Sequence, residues 1–294
     1  MFEGTYTALV TPFSADGIDY PALRRLLDAQ IAAGVQGVVP CGSTGESATL
    51  SHDEHERVIS AVVEHVAGRV KVIAGTGSNS TRESVRLTRW AKEHGADGAL
   101  LIAPYYNKPT QDGLRAHYEA VADSVDLPLV VYNIPGRSAV NIAPETMAKL
   151  SEIPHIVGVK EASGSLDQVS RTVQLCGSKL TVLSGDDSLT LPILSVGGRG
   201  VIAVVSNLVP ERLIKLVNAA LAGDYESARA EHYALLPLMQ AMGLEVNPIP
   251  VKTALAMLGR CSPELRLPLT PLREENMAAL RKALQGIGLS SKLS

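Results

Sequence analysis

The chain has 294 residues, of which 46% are hydrophobic and 19% charged, and its formal net charge at pH 7 is −3. This composition is typical of a globular protein with a sizeable core, and without a basic stripe it disfavours nucleic acid and anionic membranes as partners. Three widely spaced cysteines disfavour a disulfide framework or a zinc knuckle, while the lack of a signal-peptide pattern or a long apolar run predicts a cytoplasmic protein.

Short apolar segments alternate with helical patterns along most of the chain. The apolar segments predict strands at residues 4–10, 37–41, 70–74, 98–102, 129–133, 156–161, 180–185 and 200–205. Helical spacing of apolar residues predicts a helix after each strand. Capping-box motifs at Ser51, Ser80 and Ser165 predict where three of these helices begin.

The number and order of these segments predict the fold class. Strands that are apolar on both faces and separated by helices favour a parallel sheet, and eight such units in about 220 residues favour a closed (β/α)8 TIM barrel. An open doubly wound sheet is the alternative, but the chain lacks GxGxxG and GxxxxGK[ST] motifs. We therefore expect a catalytic barrel over residues 1–223 and a C-terminal helical extension over 224–294.

The strand at 156–161 ends in Lys160, the first candidate for a catalytic residue. A lysine drawn into an apolar site loses its proton or finds a partner, and a neutral amine can attack a carbonyl to form a Schiff base. The alternative is an ammonium group that reaches water. Lys108 and Lys252 are rival nucleophiles, but Lys108 lies in a polar loop and Lys252 lies outside the predicted strand ends.

Other candidate residues follow the predicted strands, where the reactive groups of a barrel gather. The segment Gly42-Ser-Thr-Gly45 is either a tight turn or a nest of amides and hydroxyls suited to a carboxylate. Tyr132 is either a structural aromatic or a proton shuttle, and Arg137 is either solvated or a carboxylate clamp. For Asp186 and Asp187 we favour a loop and helix-capping role over a general-base pair.

The sequence contains no metal-ligand pattern. His52 and His55 could share a helix face, but no third ligand is apparent, so we expect surface histidines or a small polar site. Without a metal, carbanion chemistry needs another electron sink, which a protonated Schiff base on Lys160 would supply.

Four motifs in the correct order resemble those of the pyruvate-dependent class I aldolase and lyase superfamily. They are Gly42-Ser-Thr-Gly-Glu-Ser47, Tyr132-Asn-Ile-Pro-Gly-Arg137, Gly158-Val-Lys-Glu161 and Ser184-Gly-Asp-Asp187. Within the superfamily the chain is most similar to the dihydrodipicolinate synthase family, from Gly4 to about Leu284.

The resemblance implies a reaction and roles for individual residues. Pyruvate would condense with L-aspartate 4-semialdehyde to 4-hydroxy-tetrahydrodipicolinate in lysine and diaminopimelate biosynthesis, with no metal or organic cofactor. Lys160 would form the Schiff base with pyruvate. Tyr132 and Thr44 would transfer protons together with Tyr106, which in this family is lent by a neighbouring subunit of a homotetramer built from two dimers.

The resemblance also implies the substrate-binding residues, which are Ser43, Thr44, Arg137, Gly185 and Ile202. Ser43 and Thr44 with Ile202 would hold pyruvate, and Arg137 would bind the carboxylate of the second substrate. Ser43 stands where the family often has threonine, and it keeps the hydroxyl. The N-acetylneuraminate and 2-keto-3-deoxy acid aldolases are the alternative, and they generally lack the Gly-Arg pair that ends in Arg137. An inactive keto-acid sensor is a further alternative.

A second set of residues matches the positions that bind feedback L-lysine in inhibited family members. It comprises Ser47, Ala48, His52, His55, Asn79, Glu83 and Tyr105. The other interpretation is that helix starts carry polar caps.

Overall fold

The computed structural model describes residues 1–289 and contains a closed barrel of parallel strands. The strands are β1 Gly4–Ala8, β2 Gly37–Val39, β3 Lys71–Gly75, β4 Gly98–Ile102, β5 Leu129–Asn133, β6 Ile156–Glu161, β7 Thr181–Ser184 and β8 Gly200–Ala203. Each strand pairs with the next, and β8 pairs with β1 to close the barrel. The predicted fold class is confirmed, and the strand ends differ from the predicted ones by at most two residues.

Helices follow every strand. They are α1 Tyr20–Ala33, α2 His52–Val66, α3 Thr81–Glu93, α4 Gln111–Ser124, α5 Pro135–Ser138, α6 Pro144–Leu150, α7 Leu166–Cys176, α8 Thr190–Ser195, α9 Pro210–Leu221, α10 Tyr225–Ala241, α11 Ile249–Met257 and α12 Glu274–Gly286. A short hairpin, Phe13–Ser14 with Gly17–Ile18, lies between β1 and α1. Among residues 1–289, no helix is long and apolar enough to cross a membrane.

The three helices after residue 224 share a hydrophobic core with the barrel. Val201 of β8, Leu216 of α9, Leu235 of α10 and Leu280 of α12 are fully buried in one cluster. Burying each such side chain contributes roughly 1.5–3 kcal/mol, so this contact firmly attaches the C-terminal helices to the barrel. The boundary at residue 223 stays a prediction, and residues 290–294 of the predicted extension lie outside the described part of the chain.

Alternate residues of the strands point into the barrel and form a second core. This inward set includes Tyr6, Leu100, Tyr132, Leu183 and Ile202. Because side chains alternate along a strand, the register fixes which groups reach the interior. Tyr132 therefore enters the barrel from β5.

Only one of the three predicted capping boxes is complete. Ser51 and Glu54 cap α2 reciprocally, as predicted. Ser165 accepts from the Gln168 amide, whereas Ser80 makes no side-chain cap. The predicted box at Ser80 is wrong because the Glu83 side chain turns instead towards Ser78 and His52.

Candidate active site

Lys160 and Tyr132 lie side by side inside the barrel. They are register partners on β6 and β5, and Lys160 Nζ lies 4.3 Å from the centroid of the Tyr132 ring. Lys160 is 5% exposed. Burial lowers its pKa to about 8, while Asp187 and Asp186 act in the opposite direction and Arg137 lowers it further. The amine is therefore partly neutral near pH 7 and able to act as a nucleophile.

Tyr132 is held as a neutral phenol. Burial raises its pKa above the ordinary value, and Arg137 and a hydrogen bond with Ser43 act against that rise. A protonated phenol beside a neutral amine can donate a proton and recover it, as a shuttle requires.

Gly185 lies against Lys160, and Ile202 lies in the interior of the barrel. A Cβ atom on Gly185 would lie 2.7 Å from Ala162 Cβ and 3.1 Å from Lys160 Cγ, so only glycine permits this close approach. Ile202 is fully buried in the same inward-facing cluster as Tyr132. The structure thus places Gly185 beside the lysine and Ile202 in the same buried cluster as Tyr132.

Thr44 and Arg137 both contact a residue that the sequence did not single out, Asn247. The Asn247 side-chain amide donates to Thr44 Oγ1 over 2.9 Å. Arg137 Nη2 donates to the Asn247 backbone oxygen over 3.0 Å. The loop after β2, helix α5 and the segment before α11 therefore meet at one point of the mouth.

Tyr106 is not part of this constellation within one chain. Its side chain is 88% exposed, and its φ of 72° is unusual for a residue with a side chain. Among residues 1–289, no hydrogen bond joins its phenol to Thr44 or Tyr132. A single chain does not assemble the complete predicted relay.

Asp187 makes the loop contacts that the sequence favoured, but the helix-cap part of that prediction is not seen, because Asp186, the N-cap residue here, makes no side-chain cap hydrogen bond. Its carboxylate accepts hydrogen bonds from the amides of Val204 and Val205, at 2.9 Å and 2.7 Å, where the chain leaves β8. Burial raises its pKa to about 6, and the two amides act against that rise. Asp187 thus fixes the end of β8 while its charge acts on Lys160.

The rival lysines are placed unfavourably for catalysis. Lys252 Nζ contacts Glu46 Oε1 at 2.5 Å, and neither side chain is more than 1% exposed. Lys108 lies exposed in the loop after β4. Lys252 is therefore held in an ion pair, and Lys108 is exposed to solvent.

One cavity of about 430 Å³ runs from Tyr132, one of the candidate catalytic residues, to the predicted effector residues. At one end it is lined by Ser43, Tyr132 and Arg137. From the effector set it is lined by Ser47, Ala48, His52, His55, Glu83 and Tyr105. Asn79 does not line the cavity; its backbone oxygen accepts a hydrogen bond from the Asn107 side chain.

Two histidines of the effector set have different surroundings. His52 Nε2 lies 3.2 Å from Glu83 Oε1 on the neighbouring helix. His55 is buried, and its Nε2 lies 2.7 Å from the Gly75 oxygen. Burial lowers the pKa of His55. Of the two expectations, a surface position fits His52, whereas His55 is buried with one polar partner because the α2 face that carries it packs on β3.

Comparison with known proteins decides the family. The model of the dihydrodipicolinate synthetase family matches residues 1–287. The chain belongs to this family. It is 57% identical over 290 residues to the 4-hydroxy-tetrahydrodipicolinate synthase of Syntrophobacter fumaroxidans. That alignment covers 98% of this chain and 100% of the relative.

Solved structures of family members superpose closely on the chain. The chloride-inhibited dihydrodipicolinate synthase of Acinetobacter baumannii, complexed with pyruvate, is 41% identical, with a TM-score of 0.97 over 99% of this chain and 100% of that one. The lysine-bound enzyme of Cyanidioschyzon merolae is 40% identical, with a TM-score of 0.95 over 98% and 99%. The predicted synthase function is confirmed, and these comparisons do not support the aldolase alternative.

Beside its candidate catalytic residues, this synthetase-family chain has a buried polar network that the sequence analysis missed. Glu161, next to Lys160, is 2% exposed and accepts from the Asn133 side chain at 3.1 Å and the Ser163 amide at 2.8 Å. Asn133 follows Tyr132 and is the register partner of Glu161. In the sequence, the one feature that points to Asn133 and Glu161 is that each directly follows a candidate catalytic residue.

A metal site is not evident in the described part of this family member. Among residues 1–289, no three His, Cys, Asp or Glu side chains group closely enough to hold a metal ion.

Proposed function

We propose that Lys160 is the nucleophile with which this synthase condenses pyruvate and L-aspartate 4-semialdehyde to 4-hydroxy-tetrahydrodipicolinate, a step of lysine and diaminopimelate biosynthesis. The observation that carries the proposal is the buried Lys160 amine, with its pKa near 8, 4.3 Å from the Tyr132 ring centroid. The chemistry requires no metal or organic cofactor, because the imine itself withdraws electrons from the carbanion. The expected compartment is the cytoplasm.

The reaction begins with attack of Lys160 Nζ on the keto carbon of pyruvate. The former keto oxygen leaves as water, with protons supplied through Tyr132, and an imine forms. Loss of a methyl proton then gives an enamine, whose carbon attacks the aldehyde of the second substrate. The amine of that substrate displaces Lys160 from the imine carbon, so the cyclic product leaves with one water released overall and the lysine restored.

The loop after β2 is suited to the pyruvate carboxylate. Among residues 1–289, the backbone amides of Ser43 and Thr44 donate no hydrogen bond, while the next two amides donate back to Gly42 and Ser43. Free adjacent amides with a hydroxyl form a site for an anion. The Arg137 guanidinium at the same mouth is suited to the carboxylate of the aldehyde substrate.

The exposed phenol of Tyr106 supports a contribution from a second subunit. A side chain that is 88% exposed cannot transfer protons inside its own barrel, but it can enter the mouth of a neighbouring copy. We therefore propose a homotetramer, a dimer of dimers, in which Tyr106 completes the relay of Thr44 and Tyr132 across the interface.

The cavity beyond the catalytic residues supports feedback binding of L-lysine. Glu83 and His52 offer polar contacts to an amino acid, and a lysine-bound relative has the same fold. The test is the initial rate at saturating L-lysine, with Glu83→Gln as the variant and Glu93→Gln, on the same helix, as the matched control. An unchanged rate in the unsubstituted enzyme would refute the feedback proposal.

Borohydride trapping tests the nucleophile. Reduction in the presence of pyruvate should add one reduced pyruvyl mass at Lys160, located by peptide mass spectrometry. Lys160→Arg should abolish the adduct, and Lys108→Arg should retain it as a matched control. An adduct at another lysine would overturn the proposal, and adding aspartate 4-semialdehyde before the reductant should diminish the adduct by turnover.

A further inference from the structure

We propose that Asn247 is a positioning residue that aims the Thr44 hydroxyl at Tyr132. The inference rests on the proposed function of Thr44 as a proton carrier. It extends the active site to the segment between α10 and α11, which contributes no residue to the relay described above.

The first support is the direction of the hydrogen bond. Asn247 Nδ2 donates to Thr44 Oγ1 over 2.9 Å, and Thr44 is only 3% exposed. A hydroxyl has one proton and two lone pairs, so accepting from Asn247 leaves the Thr44 proton free to be donated elsewhere. The bond thus leaves the Thr44 proton available for the relay that we propose.

The second support is that Asn247 also holds the predicted carboxylate clamp. Its backbone oxygen accepts from Arg137 Nη2 over 3.0 Å. The side-chain contact and the backbone contact belong to different groups. Replacing the side chain therefore disturbs Thr44 and leaves the acceptor for Arg137 in place, which allows the two effects to be separated.

The third support is the rigidity of the segments that meet here. Five residues after Asn247, Lys252 pairs with Glu46, which itself follows Thr44 by two residues. Two bridges between the same two segments restrict their relative motion. A hydrogen bond held in this way can restrict a side chain to one rotamer, as positioning in catalysis requires.

The experiment is a double-mutant cycle on kcat, with Asn247→Ala, Thr44→Val and the double variant. Asn247→Ala should lower kcat about tenfold with less than about a threefold change in KM for either substrate, because the loss concerns a step after binding. In the Thr44→Val background, Asn247→Ala should have no further effect. Asn218→Ala, on the exposed face of α9, is the matched control and should retain full activity.

Asn247→Asp provides an isosteric second variant. A carboxylate only accepts, so it would draw the Thr44 proton towards itself, and kcat should fall at least as far as in Asn247→Ala. If the added charge itself lowers kcat, Asn247→Asp should also lower kcat in the Thr44→Val background. That comparison separates the effect of the charge from the effect on the Thr44 hydroxyl.

The outcomes separate the two proposals. If Thr44→Val lowers kcat but Asn247→Ala stays within about twofold of the unsubstituted enzyme, or if the two losses multiply, the positioning role is overturned and the relay stands. If Thr44→Val retains full kcat, the relay itself is refuted. Pyruvate trapping at Lys160 should persist in Asn247→Ala, which shows that the nucleophile is intact.

Discussion

Glu46 and Lys252 form a buried ion pair between the loop after β2 and helix α11, with Lys252 Nζ 2.5 Å from Glu46 Oε1. Lys252 also donates to the backbone oxygen of Glu264 over 2.8 Å. The second oxygen of Glu46 accepts from the Arg266 amide over 3.2 Å. Each charge has further polar partners, which offsets the cost of removing both from water.

Lys252→Met should destabilise the protein by about 3–5 kcal/mol, because it leaves the Glu46 carboxylate buried without its counter-charge. Urea unfolding followed by circular dichroism measures the change. Lys179→Met, which breaks the exposed pair with Glu152, is the matched control and should cost less than about 1 kcal/mol. An equal loss of unfolding free energy in the two variants would show that the buried pair stabilises the fold no more than the exposed pair does.

The rate of pyruvate trapping by borohydride should rise with pH through about 8, the pKa to which burial lowers Lys160. Below that pH the amine is mostly protonated and cannot attack the keto carbon. Asp186→Asn should shift the midpoint to lower pH, because the Asp186 carboxylate favours the ammonium form. A midpoint near 10.5, or a shift to higher pH in Asp186→Asn, would contradict the assignment.

Lys160→Met should make the folded protein more stable near pH 7, by roughly 2 kcal/mol, while abolishing activity. The folded-state pKa of Lys160 is below its unfolded value, so between pH 8 and 10.5 the unfolded chain binds more protons and the unsubstituted protein gains stability as pH rises. The advantage of the variant should therefore shrink from pH 7 to 9.5 in urea unfolding. Lys108→Met, at an exposed position, is the control and should show no such pH dependence. If Lys160→Met were more stable by the same amount at every pH, the result would argue against a buried charge at Lys160.

Mixing two inactive variants tests whether Tyr106 acts across an interface. In a heterodimer of Thr44→Val and Tyr106→Phe subunits, a shared site gives one mouth with both defects and one with neither. Random mixing should then restore about a quarter of normal activity, since half of the dimers carry one intact site of two. Activity that stays at the level of the separate variants would place the relay within one chain, and Tyr233→Phe, another exposed tyrosine, is the control.

The barrel and its central lysine were predictable because both depend on local patterns. Strands buried on both faces are continuous apolar runs, and the polar residue that ends such a run stands out in the sequence. Asn247 could not be found this way. Its partner Thr44 is 203 residues away, and only the packing of the segment before α11 over the barrel mouth brings them together.

The predicted capping box at Ser80 failed for a different reason. The sequence motif is present, but tertiary contacts prevent the box from forming. Glu83 contacts His52 and Ser78 rather than its own N-cap. A motif of four residues contains no information about which helix packs beside it. The placement of Tyr106 was likewise not encoded locally, because the relay that we propose for it needs a second copy of the chain.

The bridges from Asn247 and Lys252 to the loop after β2 bear on engineering. Although residues 4–203 contain all eight strands, the loop is shaped from outside that span by side chains near the other end of the chain. The strands and their helices are therefore unsuitable for excision as a minimal catalyst. A graft onto another scaffold would have to carry the helices after α9 with it, and variation in those helices offers a remote means of tuning the reaction.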